Sequence, residues 1–215
     1  MIKEIFKKLR LQINKVGSNF RKKNLNVQNP TIISNNCWAG IVSQYLGIKY
    51  YTPTIGLYFF AEEYIKFLER FDYYIKQDLK IIETKDSRYY EKMVKKNHKH
   101  AIVGKLDDVE IVFLHMKTGE EAIEKWNKRV KRINRRNIIF KFCEQNECSS
   151  EHIKRFENLP FKNKICFTTK DYPGYKSVIW FKDQVKNDEV LRDYYESHKY
   201  LNIIDYINNM EEENL

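Results

Sequence analysis

The chain has 215 residues, 42% of them hydrophobic and 14% aromatic, with only 7 Gly and 4 Pro, which excludes a disordered or linker-rich chain and supplies a real core. Its formal net charge is +10, but 29 acidic residues offset 39 basic ones, and Lys, Asn and Ile are all abundant, as in AT-rich coding. With no zinc-finger, RNP-like or GxxG signature, a nucleic-acid partner is not expected.

Residues 1–25, MIKEIFKKLRLQINKVGSNFRKKNL, place Ile2, Ile5, Phe6, Leu9, Ile13 and Val16 on one helical face. Lys3, Lys7, Lys8, Arg10 and Lys15 fill much of the rest. Such a basic amphipathic segment can lie on an anionic membrane or pack on its own domain. Thr31–Ile33 then reads as a strand, Ser34-Asn35-Asn36-Cys37 as a polar corner, and the stretch from Cys37 to Gly47 as a helix with an apolar face at Trp38, Ile41, Val42 and Tyr45. A strand entering a helix through a polar corner points several N–H groups at one spot. That spot favours an anion and lowers the pKa of a thiol placed there. Ser34, Asn35 and Asn36 are therefore candidate phosphate-binding residues, and Cys37 is a candidate nucleophile.

Pro53 and Gly56 mark a turn before a helix expected over roughly 57–78, striped by Phe60, Tyr64, Phe67, Leu68, Phe71 and Ile75. LKIIE (79–83) is a candidate strand. His98 and His100 would share one face of a strand, but no companion ligands stand beside them, so no metal site is assigned. Ala101–Met116 has the pattern of a hairpin turning at Asp107-Asp108, an adjacent pair rather than the spaced DxD of a metal-dependent donor site. His115, at the end of its second strand, is the candidate base.

Thr118 with Glu121 forms a capping-box spacing before a helix expected to reach about Arg136. Lys125, Arg129, Arg132 and Arg136 recur at i, i+4, i+7 and i+11, within roughly 60° of one another on the flank of the apolar face. Lys125, Arg129 and Arg132 are candidate ligands for phosphate or carboxylate, which arginine binds with two parallel hydrogen bonds. The last third alternates: strand 137–142, helix 149–158, strands 164–168 and 177–181, and a closing helix over 190–209. This alternation predicts an α/β fold, a mixed and largely parallel sheet flanked by helices in Rossmann-like strand–helix units. Residues 1–29 form a basic N-terminal segment and 30–215 a single domain. Cys37, Cys143, Cys148 and Cys166 have no CxxC spacing and no secretory signal precedes them, so reduced thiols and a cytoplasmic protein are expected, possible contact of its N-terminal segment with the inner membrane included. No run of about 18 apolar residues marks a transmembrane helix.

Five stretches in this order, ISNNCWAG (33–40), LGIKYYTPTIGLYF (46–59), EYIKFLERFDYY (63–74), VGKLDDVEIVFLHMKTGEEAIEKWNKRVKRIN (103–134) and RFENLPFKNKICFT (155–168), resemble a bacterial family of unknown function whose members are often labelled exopolysaccharide biosynthesis proteins. Where that family has Ser-Pro, this chain has Thr52-Pro53. The resemblance implies a cytoplasmic enzyme of capsule or exopolysaccharide synthesis without fixing the reaction. Three readings follow. The first is a transferase that takes a glycosyl or acyl group from an activated donor, a nucleotide sugar or acyl-CoA, to a glycan acceptor, needing no bound metal or other cofactor, with His115 as base. The second is a thiol acyltransferase or hydrolase with Cys37 and His115, similar in pattern to papain-like enzymes. The third is a non-catalytic glycan-binding or scaffolding protein.

Overall fold

The computed structural model describes residues 17–213; the amphipathic stretch from Ile2 to Val16 lies outside the described residues. The strands divide between two four-stranded sheets. One is parallel, in the order β1 (Thr31–Ser34), β6 (Ile138–Cys143), β7 (Lys164–Thr168), β8 (Val178–Trp180). The other is antiparallel, in the order β2 (Leu57–Tyr58), β5 (Val109–Phe113), β4 (Ile102–Leu106), β3 (Lys80–Ile82). The mixed α/β class holds, with two sheets where the sequence pattern suggested one.

β6 explains why the parallel sheet sits deepest. Ile138, Phe140 and Phe142 enter the core shared with the second sheet, while Ile139 and Cys143 enter the core on the opposite face. A strand apolar on both faces must be covered on both. Helices α3 (Ala61–Glu69), α4 (Phe71–Tyr74), α6 (Gly119–Val130) and α7 (Ser150–Glu157) fill the first core with Tyr64, Phe67, Phe71, Trp126 and Phe156. Helices α2 (Trp38–Leu46) and α9 (Ile203–Asn208) close the second with Trp38, Leu46, Ile203 and Ile207. Met93 of α5 (Tyr90–Lys95) covers the outer face of the antiparallel sheet.

The local signals for ends and turns perform as read. Gly47 ends α2 at φ +68°, a left-handed conformation that costs glycine no Cβ clash. Thr118 accepts the Glu121 N–H at the start of α6, and Asp107-Asp108 joins β4 to β5. The long helices do not survive. The helix expected over 57–78 is divided into β2, α3 and α4, because Phe59 and Phe60 are extended into the second sheet's edge and Arg70 leaves helical geometry at φ −129°. α6 stops at Val130 rather than Arg136. The closing helix over 190–209 is broken up: Arg192 at φ +52° delays its start to α8 (Asp193–Glu196), a 3₁₀ turn follows over Ser197–Lys199, and α9 starts anew behind the Asn202 cap.

The described part of the N-terminal segment is helical over 17–23 (α1) and packs on the domain. The Arg21 Nε donates to the Tyr45 carbonyl at 2.6 Å, with its guanidinium 4.0 Å from the Tyr45 ring centre. Asn208 of α9 accepts from the Asn26 N–H and donates to the Asn24 carbonyl.

Candidate functional site

β1 and β6 run side by side, Ser34 opposite Lys141, and their carboxyl ends carry the polar corner. Each corner residue is tied down by the protein itself. Asn35 receives the Phe59 N–H on its carbonyl at 3.0 Å and donates its side-chain amide to the Cys143 carbonyl at 3.0 Å, which joins the two sheets. The Asn36 Oδ1 accepts from the Trp38 N–H, the Ser34 hydroxyl and the Lys141 ammonium at 3.0–3.1 Å. Asn36, one residue ahead of the expected thiol, is thus the group that caps α2. The Ser34 N–H donates to the Thr54 hydroxyl and the Asn35 N–H to the Lys141 carbonyl. The expectation of a row of free N–H groups at Ser34–Cys37 is corrected accordingly: the folded chain supplies acceptors for most of them.

Behind the corner lies a buried ion pair. Lys141 and Asp193 have no exposed side-chain surface and are in direct contact. The Asn36 Nδ2 donates to the same Asp193 oxygen at 2.9 Å and to Gln145 Oε1 at 2.9 Å. The Lys141 ammonium also lies 5.1 Å from the Phe167 ring centre and 5.6 Å from that of Trp38. A buried cation is tolerable only when paired and hydrogen-bonded on its remaining protons, and Lys141 has both. The pair fastens the 190–197 segment across the ends of β1 and β6.

Against this corner opens a cleft of about 500 Å³, walled by Asn36 and Cys37 from the β1–α2 corner, Gln145 just after β6, His98 after α5, and Arg192 and Tyr194 at the start of α8. In α/β sheets the crevice outside the carboxyl ends of the strands is the usual ligand position. Four features define its chemistry. The His98 Nδ1 is 3.2 Å from the Tyr58 hydroxyl, and burial together with the Lys96 charge lowers its pKa, so the imidazole is neutral at pH 7. Burial holds the Tyr58 phenol protonated by raising its pKa far above the ordinary value. Arg192 has no ion-pair or hydrogen-bonded side-chain partner among the described residues and carries the left-handed backbone noted above, a strained conformation that tends to mark functional positions. Lys96, the other cation, is 3.5 Å from Glu189.

Cys37 lines the cleft, but burial first, and the nearby Asp193 charge second, push its thiol above the ordinary range; Lys141 offsets this only in part. The expectation of an acidic thiol is therefore reversed. Its sulfur faces the Leu57 carbonyl at 3.9 Å, and no hydrogen bond links it to His115 among the described residues. His115 is exposed, two residues beyond β5, and does not line this cleft.

The other expected site residues gather elsewhere. Arg129 donates to the Ile55 carbonyl at 3.2 Å, with its guanidinium 5.4 Å from the centre of the Tyr50 ring, and Arg132 donates to the Tyr50 carbonyl at 3.5 Å. Lys125 pairs with Glu121 at 2.5 Å. The His115 N–H donates to the Gly56 carbonyl at 3.1 Å, and the Ser34 N–H meets Thr54. Arg129, His115 and Ser34 do meet, on Thr54-Ile55-Gly56, but that segment occupies the space between them. Thr52, at the Ser-Pro position, is buried with its hydroxyl 2.9 Å from that of Thr54.

Sequence reasoning missed His98, Lys141, Gln145, Arg192 and Asp193. The sequence offers His98 only as a metal ligand, through its spacing from His100. The one available signal was Lys141, a lysine in the middle of the apolar run IIFKFC. Among the described residues no group of three His, Cys, Asp or Glu side chains is placed to hold a metal ion.

A family model described as "Domain of unknown function (DUF1919)" matches residues 7–211. A protein of Haemophilus influenzae described as "Uncharacterized protein" is 31% identical over 212 residues, covering 94% of this chain and 96% of its own length.

Proposed function

Because the chain belongs to the DUF1919 family of domains of unknown function, its role has to be argued from its own cleft, and we propose that the cleft binds an activated, phosphate-bearing donor and transfers its glycosyl or acyl group to a glycan, as a step of exopolysaccharide biosynthesis. One observation carries the reading: an unpaired arginine, an amide pair and a neutral imidazole face one cleft at the carboxyl ends of parallel strands. Arg192 offers a fork of donors to a phosphate or diphosphate. Gln145 and Asn36 are bonded to each other, and Gln145 also to the Val190 carbonyl, so they fix the cleft wall behind the donor site. His98 takes the part first considered for His115. In the tautomer whose Nδ1–H is directed at Tyr58, the Nε2 lone pair can accept the proton of an acceptor hydroxyl as that oxygen bonds to the donor's transferred carbon, while the bond from that carbon to the phosphate-bearing leaving group breaks and the leaving group departs with the electron pair beside Arg192.

Cys37 is a packing residue of the cleft wall in this reading, since a thiol raised by burial is a poor nucleophile at neutral pH. The test separates binding from chemistry. In His98→Ala, donor affinity measured by calorimetry with nucleoside-diphosphate sugars stays within about twofold of wild type, while donor turnover in the presence of a glycan acceptor falls by roughly 10²–10⁴-fold, the usual contribution of a general base. Equal turnover in the two proteins would remove His98 from the chemistry. Absence of any donor binding would remove the transferase reading.

A further inference from the structure

Independently of the reaction in the cleft, we propose that the face of the molecule formed by α1, the exposed side of α2 and the 191–203 segment seats on an anionic lipid bilayer. Five of the eight large apolar side chains exposed among the described residues gather there: Phe20, Tyr45, Leu191, Tyr194 and Tyr195, with Phe20 and Tyr195 the most exposed of all at 66% and 64%. Two of them, Tyr45 and Tyr194, line a groove of about 410 Å³, together with Ile41 and Val42 of α2 and Leu201 and Ile203 of the later segment. Phe20 lies on α1, which the contact of Arg21 with Tyr45 packs beside α2.

Three features favour a lipid surface as the occupant. The aromatics are mostly tyrosines, an apolar body with a polar tip, which settle at the headgroup level. On α1 and just after α2 stand Lys22, Lys23 and Lys49, all exposed and without ion-pair partners among the described residues. Each such lysine near an anionic leaflet adds to the attraction, and unpaired lysines do so most. No helix among the described residues is long and apolar enough to cross a membrane, so the contact is with the surface. Tyr194 is also a wall of the cleft, so seating this face brings the cleft mouth to the membrane.

The test is co-sedimentation of the full chain with vesicles of phosphatidylcholine alone and of phosphatidylcholine with phosphatidylglycerol. Wild type binds the anionic vesicles, binds the neutral ones at least tenfold more weakly, and loses affinity as salt rises. The double variant Lys22→Glu/Lys23→Glu lowers the partition coefficient by about 30-fold or more. Phe20→Ser/Tyr195→Ser lowers it as well, while Val94→Ser, an exposed apolar position on α5, leaves it unchanged. Equal melting temperatures of the variants show that folding is intact. No binding to anionic vesicles would overturn the proposal. So would binding that both double variants retain, because it would then be carried by residues outside this face.

Discussion

Two regions of this molecule collect basic and polar side chains, and they differ in what answers them. Along α6, Arg129 and Arg132 reach over to the 50–56 loop and donate to the carbonyls of Ile55 and Tyr50. The chain serves as its own ligand there. At the ends of β1 and β6, the fully buried Lys141 is likewise answered, by Asp193 and Asn36. In front of that pair, however, Arg192 and the Nε2 side of His98 line an open cleft. A periodic row of cations on a helix flank is thus no better evidence of a ligand site than a solitary arginine in a loop. What decides is whether the backbone opposite has carbonyls to offer, and that depends on residues some 75 positions away.

The largest effect is expected behind the cleft. Lys141→Met leaves the Asp193 carboxylate buried without its cation, and the loss of stability in urea unfolding is about 3–5 kcal/mol, the cost of removing one partner of a buried pair. Lys141→Met combined with Asp193→Leu removes both charges and restores most of it. A single variant that loses less than about 1 kcal/mol would show that the pair is solvated, and the contrast with α6 would lose its basis.

A smaller effect concerns Cys37. Its folded-state pKa lies above the ordinary 9.0, with burial and Asp193 the main causes. Alkylation at pH 7.5 is therefore slower than for the unfolded chain, and its rate still climbs past pH 9. Well below pH 9 the thiol is protonated in both states and contributes no pH dependence. As the pH rises beyond 9 the unfolded chain ionises first, so this group lowers stability. The measurement is mass-spectrometric labelling in a Cys143→Ser/Cys148→Ser/Cys166→Ser background with folding checked. A rate that levels off below pH 8 would restore Cys37 as a nucleophile.

Local chemistry was legible in the sequence where the determinant lay within a few residues. Gly47 ended α2, Thr118 capped α6, Asp107-Asp108 turned the hairpin, and the corner after β1 was placed correctly. What failed was length and partnership. The apolar stripe from Phe60 to Ile75 has helical spacing, yet β2 takes only two residues ahead of it, too few to show a strand period. The 190–209 stretch has helical spacing too, but Arg192 is left-handed ahead of α8 and the Asn202 side chain caps a new start at α9. The cleft draws on positions 36, 98, 145 and 192, which no spacing rule connects.

The central claim is that the cleft, and not the α6 face, receives the ligand. It is tested most directly by titrating nucleoside-diphosphate sugars into wild type, Arg192→Ala and Arg129→Ala by calorimetry, with melting temperatures taken on the same samples. Arg192→Ala is expected to weaken the best donor by about tenfold or more, as loss of a charge-assisted hydrogen bond does, with the melting temperature unchanged. Arg129→Ala is expected to melt lower, having lost its bond to Ile55, and to bind the donor as wild type does. The reverse pattern, affinity lost in Arg129→Ala and kept in Arg192→Ala, would contradict the account.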